Sequence, residues 1–183
     1  IYFDRHKIRT PKTVRIAHIE DSDNALKKME RNFPIILKTT IGSKGIGVIF
    51  IESKRQLSSL VQLLWKQDAE TEILLQTYIK SDFDVRVIVL NGKIQATMRR
   101  DVLKGDFRSN YSRGAKVKQY KLSDEEISIC LKADKAVNGV WTAVDFIKKG
   151  KDTFVLEVNS SPGTEGIEEA TGNNILKELI EHF

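Results

Sequence analysis

Asp145, Glu157 and Asn159 stand in the pattern Asp-x11-Glu-x-Asn across two aliphatic segments that meet at Lys149-Gly150-Lys151. Side chains alternate faces along a strand. If the segments form a hairpin folded about residue 151, Asp145 falls across from Glu157. Val155, Glu157 and Asn159 then share one face, and Phe154, Leu156 and Val158 the other. Cross-strand neighbours lie about 4.5–5.5 Å apart at Cβ. Two carboxylates that close repel unless a cation lies between them. An all-oxygen set of this kind suits Mg²⁺, which fills its remaining positions with water and phosphate oxygens. The spacing alone also admits a plainer reading, in which both acids pair with lysines on an exposed face.

Two further stretches could handle anions. The run "ILKTTIGSKGIGVIFI" carries Gly42, Gly45 and Gly47 between two apolar segments, with Lys38 on the first. It is neither a Walker loop, which needs Gly-Lys-Ser/Thr opening a helix, nor a dinucleotide fingerprint, because a strand follows. Strand, glycine loop and strand make a flap whose backbone N–H groups can approach phosphate oxygens, with Lys38 aimed at the same phosphates. A tight turn has the same signature. The second stretch, "DFRSNYSRG", sets Arg108 and Arg113 around Ser109, Asn110 and Tyr111. The planar fork of arginine suits phosphate and carboxylate, and such a loop fits charge that develops in a transition state. A solvated basic loop reads alike. Arg99 and Arg100 add to the same field.

These residues need a scaffold, and the chain spells one out. Strands are expected over 13–19, 34–41, 47–52 and 72–79, with helices over 21–32 and 54–68. In the second helix Leu57, Leu60, Val61, Leu64 and Trp65 recur at helical spacing. Residues 84–100 read as two strands around Asn91-Gly92, a strong hairpin signal. A capped amphipathic helix spans 123–138, the hairpin of Asp145 and Glu157 follows, and one or two helices close the chain. The pattern is α+β, with an internal boundary near 79–83: a first domain over 1–80 and a second over 81–183.

The chain has 183 residues and a net charge of +5. A modest excess of this size fits a solvated surface or an anionic substrate better than nucleic acid. Nucleic-acid binding would call for exposed aromatics among the basic residues, whereas Trp65, Phe146 and Phe154 fall on core faces. The single cysteine, Cys130, excludes an internal disulfide, and three histidines without CxxC argue against structural zinc. No apolar run approaches the roughly 20 residues of a membrane span, and no signal peptide is expected from the mixed, charged start. A cytoplasmic location is expected. The first residue is Ile1 rather than Met, so the chain is expected to begin inside a longer protein.

In this order, "PIILKTTIGSKGIGV", "LLQTYIK", "DVRVIVLNGK", "GDFRSNYSRGA", "AVDF" and "LEVNSSPGTEGIEEATG" resemble the ATP-grasp superfamily, specifically the RimK-type amino-acid ligases. The likeness runs from about residue 11 to the C-terminus. It implies an ATP-grasp fold, with two α+β subdomains sandwiching the nucleotide. By this resemblance Lys38 contacts the α/β-phosphates and Gly42, Gly45 and Gly47 close over them. Gln76, Thr77, Tyr78 and Ile79 form the adenine hinge, Asp84 serves the nucleotide site, and Arg108, Ser109 and Asn110 face phosphate. Asp145, Glu157 and Asn159 become ligands of magnesium or manganese, two ions being expected, and Arg108, with Arg86 second, the catalytic arginines.

The implied reaction is ADP-forming ligation through an acyl-phosphate. The expected partners are ATP, an acidic amino acid such as glutamate, and an amine on a protein, peptide or small molecule, with no membrane and no nucleic acid. Homo-oligomerisation stays open. Members of the family also serve carrier-protein routes to lysine and arginine, and a nucleotide-binding module without catalysis is the alternative from another class. Thr77 stands where relatives usually have glutamate, and Ala115 where they often have glycine. Relatives also carry an N-terminal domain, and a further ATP-contacting lysine, upstream of the segment matching residues 1–11.

Overall fold

The computed structural model describes residues 2–18, 20–30, 32–39, 47–103, 105–109, 111 and 114–182. The chain separates into two units, one of residues Pro11–Ile79 and one of residues 1–10 together with Lys80–Phe183.

In the Pro11–Ile79 unit, strands β1 (Thr13–Ile16), β2 (Ile35–Thr39), β3 (Val48–Ile51) and β4 (Ile73–Thr77) make an antiparallel sheet of order β1-β4-β2-β3, with helices α2 (Asp21–Lys28) and α3 (Lys54–Gln67). One core joins them: Ile16, Leu26, Met29, Ile35, Leu37, Ile51, Leu57, Val61, Ile73 and Leu75 are buried, and Leu60, Leu64 and Trp65 pack on it. The helical spacing of α3 is therefore spent on the core. Its first turn is closed by Ser53, whose Oγ accepts from the Gln56 N–H at 3.2 Å. Two expected elements stop early. Strand 13–19 ends at Ile16 because the N–H groups of Ala17 and His18 turn to the Asp21 carboxylate. Helix 21–32 ends at Lys28, and Glu30 is left-handed at φ 62°.

The second unit is an antiparallel sheet of order β7-β6-β5-β8-β9: β5 (Phe83–Leu90), β6 (Lys93–Asp101), β7 (Val117–Gln119), β8 (Trp141–Lys149) and β9 (Asp152–Asn159). Helices α1 (Tyr2–Arg5), α4 (Asp124–Ala136), α5 (Glu165–Thr171) and α6 (Ile175–His182) complete it. Alternation divides the sheet faces. Val85, Val87, Val89, Val144, Phe146 and Val155 pack with Cys130, Ala133 and Ala136 of α4. Ile88, Ala96, Met98 and Ala143 pack with Ile167 of α5 and Ile175 of α6. At the β5–β6 turn, Asn91 and Gly92 have φ of 46° and 69°, the left-handed pair that a tight hairpin requires.

Both hairpins carry a bulge. Ile88 pairs with Ala96 but Val89 with Ile94, so Gln95 has no partner on β5. Asp145 pairs with Glu157 but Phe146 with Val155, so Leu156 has none on β8. The second bulge corrects the expected faces: Val155 lies with Phe146 and Val158 on the α4 side, opposite Glu157. The first ten residues also depart from the expected 1–80 and 81–183 division. Ile8 is buried in the α4-side core, the Val155 N–H donates to the Arg9 carbonyl at 3.0 Å, and Arg9 pairs with Asp152 and lies over Phe154. None of the described helices is long and apolar enough to cross a membrane.

Helix α4 opens with a reciprocal cap: the Glu126 N–H donates to Ser123 Oγ at 3.3 Å and the Ser123 N–H to Glu126 Oε2 at 2.8 Å. The buried Glu126 carboxylate also accepts from Lys148 at 2.6 Å and from the Tyr120 hydroxyl at 3.1 Å. Burial pushes this carboxyl up, but Lys148, the Ser123 N–H and Tyr120 prevail and hold it below its ordinary value of 4.5. A lowered value in the folded state gives stability that is complete above the unfolded value and lost as pH falls through the folded one. Glu126→Gln is therefore expected to cost about 1–2 kcal/mol at pH 7. In thermal melts, the gap between variant and wild type should shrink as pH drops below 4.5.

Candidate active site

The α5-side face of the five-stranded sheet is apolar at one end and charged at the other. Following the register of β5, β6, β8 and β9, the apolar Ile88, Ala96 and Ala143 give way to a row of Met98, Arg86, Asp145 and Glu157, then to a row of Arg100, Asp84 and Ile147. The charged end is a chain of buried and partly buried hydrogen bonds. Arg86 donates from Nε and Nη2 to the two oxygens of Asp145 at 2.8 and 2.7 Å. Arg100 donates likewise to Asp84, at 2.6 and 2.8 Å, and its Nη2 lies 3.0 Å from Asp145 Oδ2. Ser109 Oγ then donates to Asp84 Oδ2 at 2.6 Å. Arg100 and Asp145 are each 3 % exposed and Asp84 7 %.

Burying an ion costs several kcal/mol unless a partner with good geometry offsets it. Here two acids meet two arginines, so the cluster is neutral. Burial pushes the Asp145 carboxyl up, but Arg100 and Arg86 prevail and hold it below the usual carboxylate value. Asp84 sits above that value, because burial outweighs Arg100 and Asp145 adds its own charge. Arg100 is held more firmly protonated than an ordinary arginine despite burial, by Asp145 and Asp84.

Glu157 lies across from Asp145 at the exposed edge of this cluster, and Asn159 pairs with Ala143 one step on. The Asn159 amide donates to Glu157 Oε1 at 3.0 Å. No three His, Cys, Asp or Glu side chains converge among the described residues. The oxygen set is thus uneven: Glu157 and the Asn159 carbonyl oxygen stand outward, while Asp145 stands behind them with most of its lone pairs given to arginines. Oxygen donors of this kind fit a hard divalent cation whose other positions water and phosphate fill.

The loop after β6 is docked at several points. Asp106 accepts from Nε and Nη2 of Arg108, both at 3.0 Å, and from the N–H groups of Phe107 and Arg108. The hydrogen bonds from Arg108 are the chief reason its carboxyl falls to about 2. Ser109 reaches the buried cluster, and the Tyr111 hydroxyl donates to Glu169 at 2.7 Å. A Cβ at Gly166 of α5 would stand 2.8 Å from the Tyr111 ring, so the glycine lets helix and loop approach. Asn110 and Arg113 lie outside the described residues, as do Gly42 and Gly45 of the flap.

The remaining candidates belong to the Pro11–Ile79 unit. Lys38 is half-buried on β2, paired with Val48 and Leu74. Gly47 has φ 85°, and its carbonyl accepts from the Thr39 N–H at 2.9 Å. The Gln76 side chain is buried and donates to Thr13 Oγ1 at 2.9 Å. The Thr77 N–H donates to the Lys12 carbonyl, Tyr78 stands edge-on to Phe50 at 5.0 Å, and Ile79 is half-buried.

The sequence did not separate Arg99 from Arg100. Arg99 lies on the α4 side with its guanidinium 3.9 Å from the Phe83 ring centre and pairs with Asp101, whereas Arg100 is the hub of the buried cluster. Nor did spacing expose Asp106, whose signal, an acid two residues before Arg108, was present.

A probable alpha-L-glutamate ligase of Marinomonas sp. is 36 % identical over 181 residues, 98 % of this chain and 59 % of that protein. The chain thus spans little more than half the length of the curated relatives it matches. Among solved structures, D-alanine–D-alanine ligase from Bacillus anthracis complexed with ATP superposes with a TM-score of 0.76 at 22 % identity, covering 98 % of this chain and 62 % of that one. The ATP-grasp ligase PsnB complexed with a minimal precursor, Mg and ADP gives 0.73 at 18 %, covering 99 % and 54 %. At these identities the likeness is one of fold. The model of the RimK-like ATP-grasp domain matches residues 2–183, and the chain belongs to that family.

Proposed function

We propose that this chain is the ATP-grasp portion of an ADP-forming carboxylate–amine ligase of RimK type, which adds glutamate or a similar acidic amino acid to an amine acceptor. The observation that carries the reading is the pairing of Asp145 with Glu157 over a neutral, arginine-clamped floor, beside a loop that presents Arg108.

In this reading a substrate carboxylate oxygen attacks the γ-phosphorus of ATP, and the bond to the ADP oxygen breaks. The amine nitrogen then attacks the carbonyl carbon of the acyl-phosphate, loses a proton and expels phosphate. Magnesium or manganese, when bound, neutralises the phosphate oxygens. Glu157 and Asn159 would hold it, with Asp145 behind them. Arg108 stabilises the negative charge that builds on phosphoryl and carbonyl oxygens. Arg86, expected as a second catalytic arginine, serves better as the clamp on Asp145, a buried carboxylate on the neighbouring strand, whereas Arg108 gives the same Nε–Nη2 edge to Asp106 of its own loop. Asp84 likewise serves as an anchor for Arg100 and Ser109. Lys38 and the glycines 42, 45 and 47 are assigned to the triphosphate, and the backbone of 76–79 to the base. The Thr77 N–H is given to Lys12, so the hinge offers its other groups.

Two outcomes test the assignment in the full-length protein. ADP and phosphate should form only when a carboxylate substrate and an amine are both supplied, and each turnover should add one amide bond by product mass. AMP and pyrophosphate in their place would remove the ligase from this chemistry. Glu157→Gln should lower kcat by at least about 100-fold, and Arg108→Ala by about 100- to 1,000-fold, with melting temperatures within a few degrees of wild type. Activity retained by either variant takes that residue out of its role.

A further inference from the structure

Arg100 is more than the Asp145 carboxylate needs. Arg86 already holds Asp145 through both oxygens. Yet Arg100, 3 % exposed, spends two hydrogen bonds on Asp84 and a third contact on Asp145. A buried ion network of this kind is commonly matched in stability by apolar residues of similar volume. Its geometry suggests another use. Asp84 is where the arginine-bearing loop is tied down, through Ser109. Asp145 is where the metal-facing hairpin is tied down, through its pairing with Glu157. Arg100 is the one side chain, among the described residues, that contacts both aspartates.

We propose that Arg100 is a positioning residue that holds the Arg108 loop and the Glu157 hairpin in one fixed relation through Asp84 and Asp145. Its planar, rigid guanidinium spans two carboxylates at set angles. A lysine can meet only one of them well, as a flexible point charge. The kinetic part of this inference rests on the ligase reading; the structural part does not.

Arg100→Lys in the full-length protein keeps the charge and removes the bridge. Followed by hydrogen exchange, amides in both 105–111 and 143–159 should exchange about tenfold faster than in wild type. Ser109→Ala should loosen 105–111 alone. If the lysine variant does not melt cooperatively, Asp84→Asn takes its place, and it should again loosen both segments. In turnover, Arg100→Lys should lower kcat by about 100-fold while the KM for ATP moves less than about threefold. Adding Ser109→Ala should then cost little more. Loosening confined to one segment, or an unchanged kcat in a folded, active preparation, overturns the proposal. If wild type forms no ADP with any acid and amine yet both segments respond together, the ligase reading fails and the positioning role stands.

Discussion

One guanidinium between two buried carboxylates sets the terms for the charged end of the sheet. Asp84 and Asp145 come from neighbouring strands and would repel if left to themselves. Arg100, from the strand on the other side of Asp84, removes that repulsion only while β5, β6 and β8 keep their register. That register is secured elsewhere, by the apolar end of the same face, where Ile88, Ala96, Met98 and Ala143 are sealed by Ile167 and Ile175. Hydrophobic packing at one end therefore determines electrostatics at the other. Because the charges of Arg86, Arg100, Asp84 and Asp145 cancel, the outward side chain that carries net charge across from Asp145 is Glu157.

Much of this was legible in the residues. Helical spacing gave α3, and Asn91-Gly92 gave the hairpin. The capped helix expected from residue 123 is realised as a reciprocal cap between Ser123 and Glu126. Two candidate sites could also be named by residue type, the Asp145–Glu157–Asn159 set and the Arg108 loop. Hidden was everything that depends on a one-residue slip in pairing. Counting outward from Asn91-Gly92 pairs Asp84 with Arg99. The unpaired Gln95 shifts the count by one and delivers Arg100 instead. Nothing local in the sequence announces such a bulge, because Gln95 has no unusual chemistry. The docking of residues 1–10 was hidden for a related reason: it depends on Ile8 and Arg9 meeting Val155 and Asp152, which are remote in sequence.

Electrostatics also divides the arginines of this region by task. Arg86 and Arg100 are consumed by buried aspartates, and Arg99 lies across an aromatic face on the other side of the sheet. Arg108 is oriented by Asp106 within its own loop. Composition counts four equal positive charges here. The structure assigns a clamp, a bridge, a surface contact and one group presented by a docked loop.

The bulges at Gln95 and Leu156 bear on how chain length can vary. Residues can be gained or lost at the Lys149-Gly150-Lys151 turn while the pairing of Asp145 with Glu157 persists, since both strands simply grow or shrink together. Loss of Leu156 alone would only remove the bulge: Val155 and Glu157 would become neighbours on opposite faces, as their partners Phe146 and Asp145 already are, and the pairing would stand. The supernumerary residue therefore adds a local bend and twist to the ribbon without deciding which face Glu157 occupies.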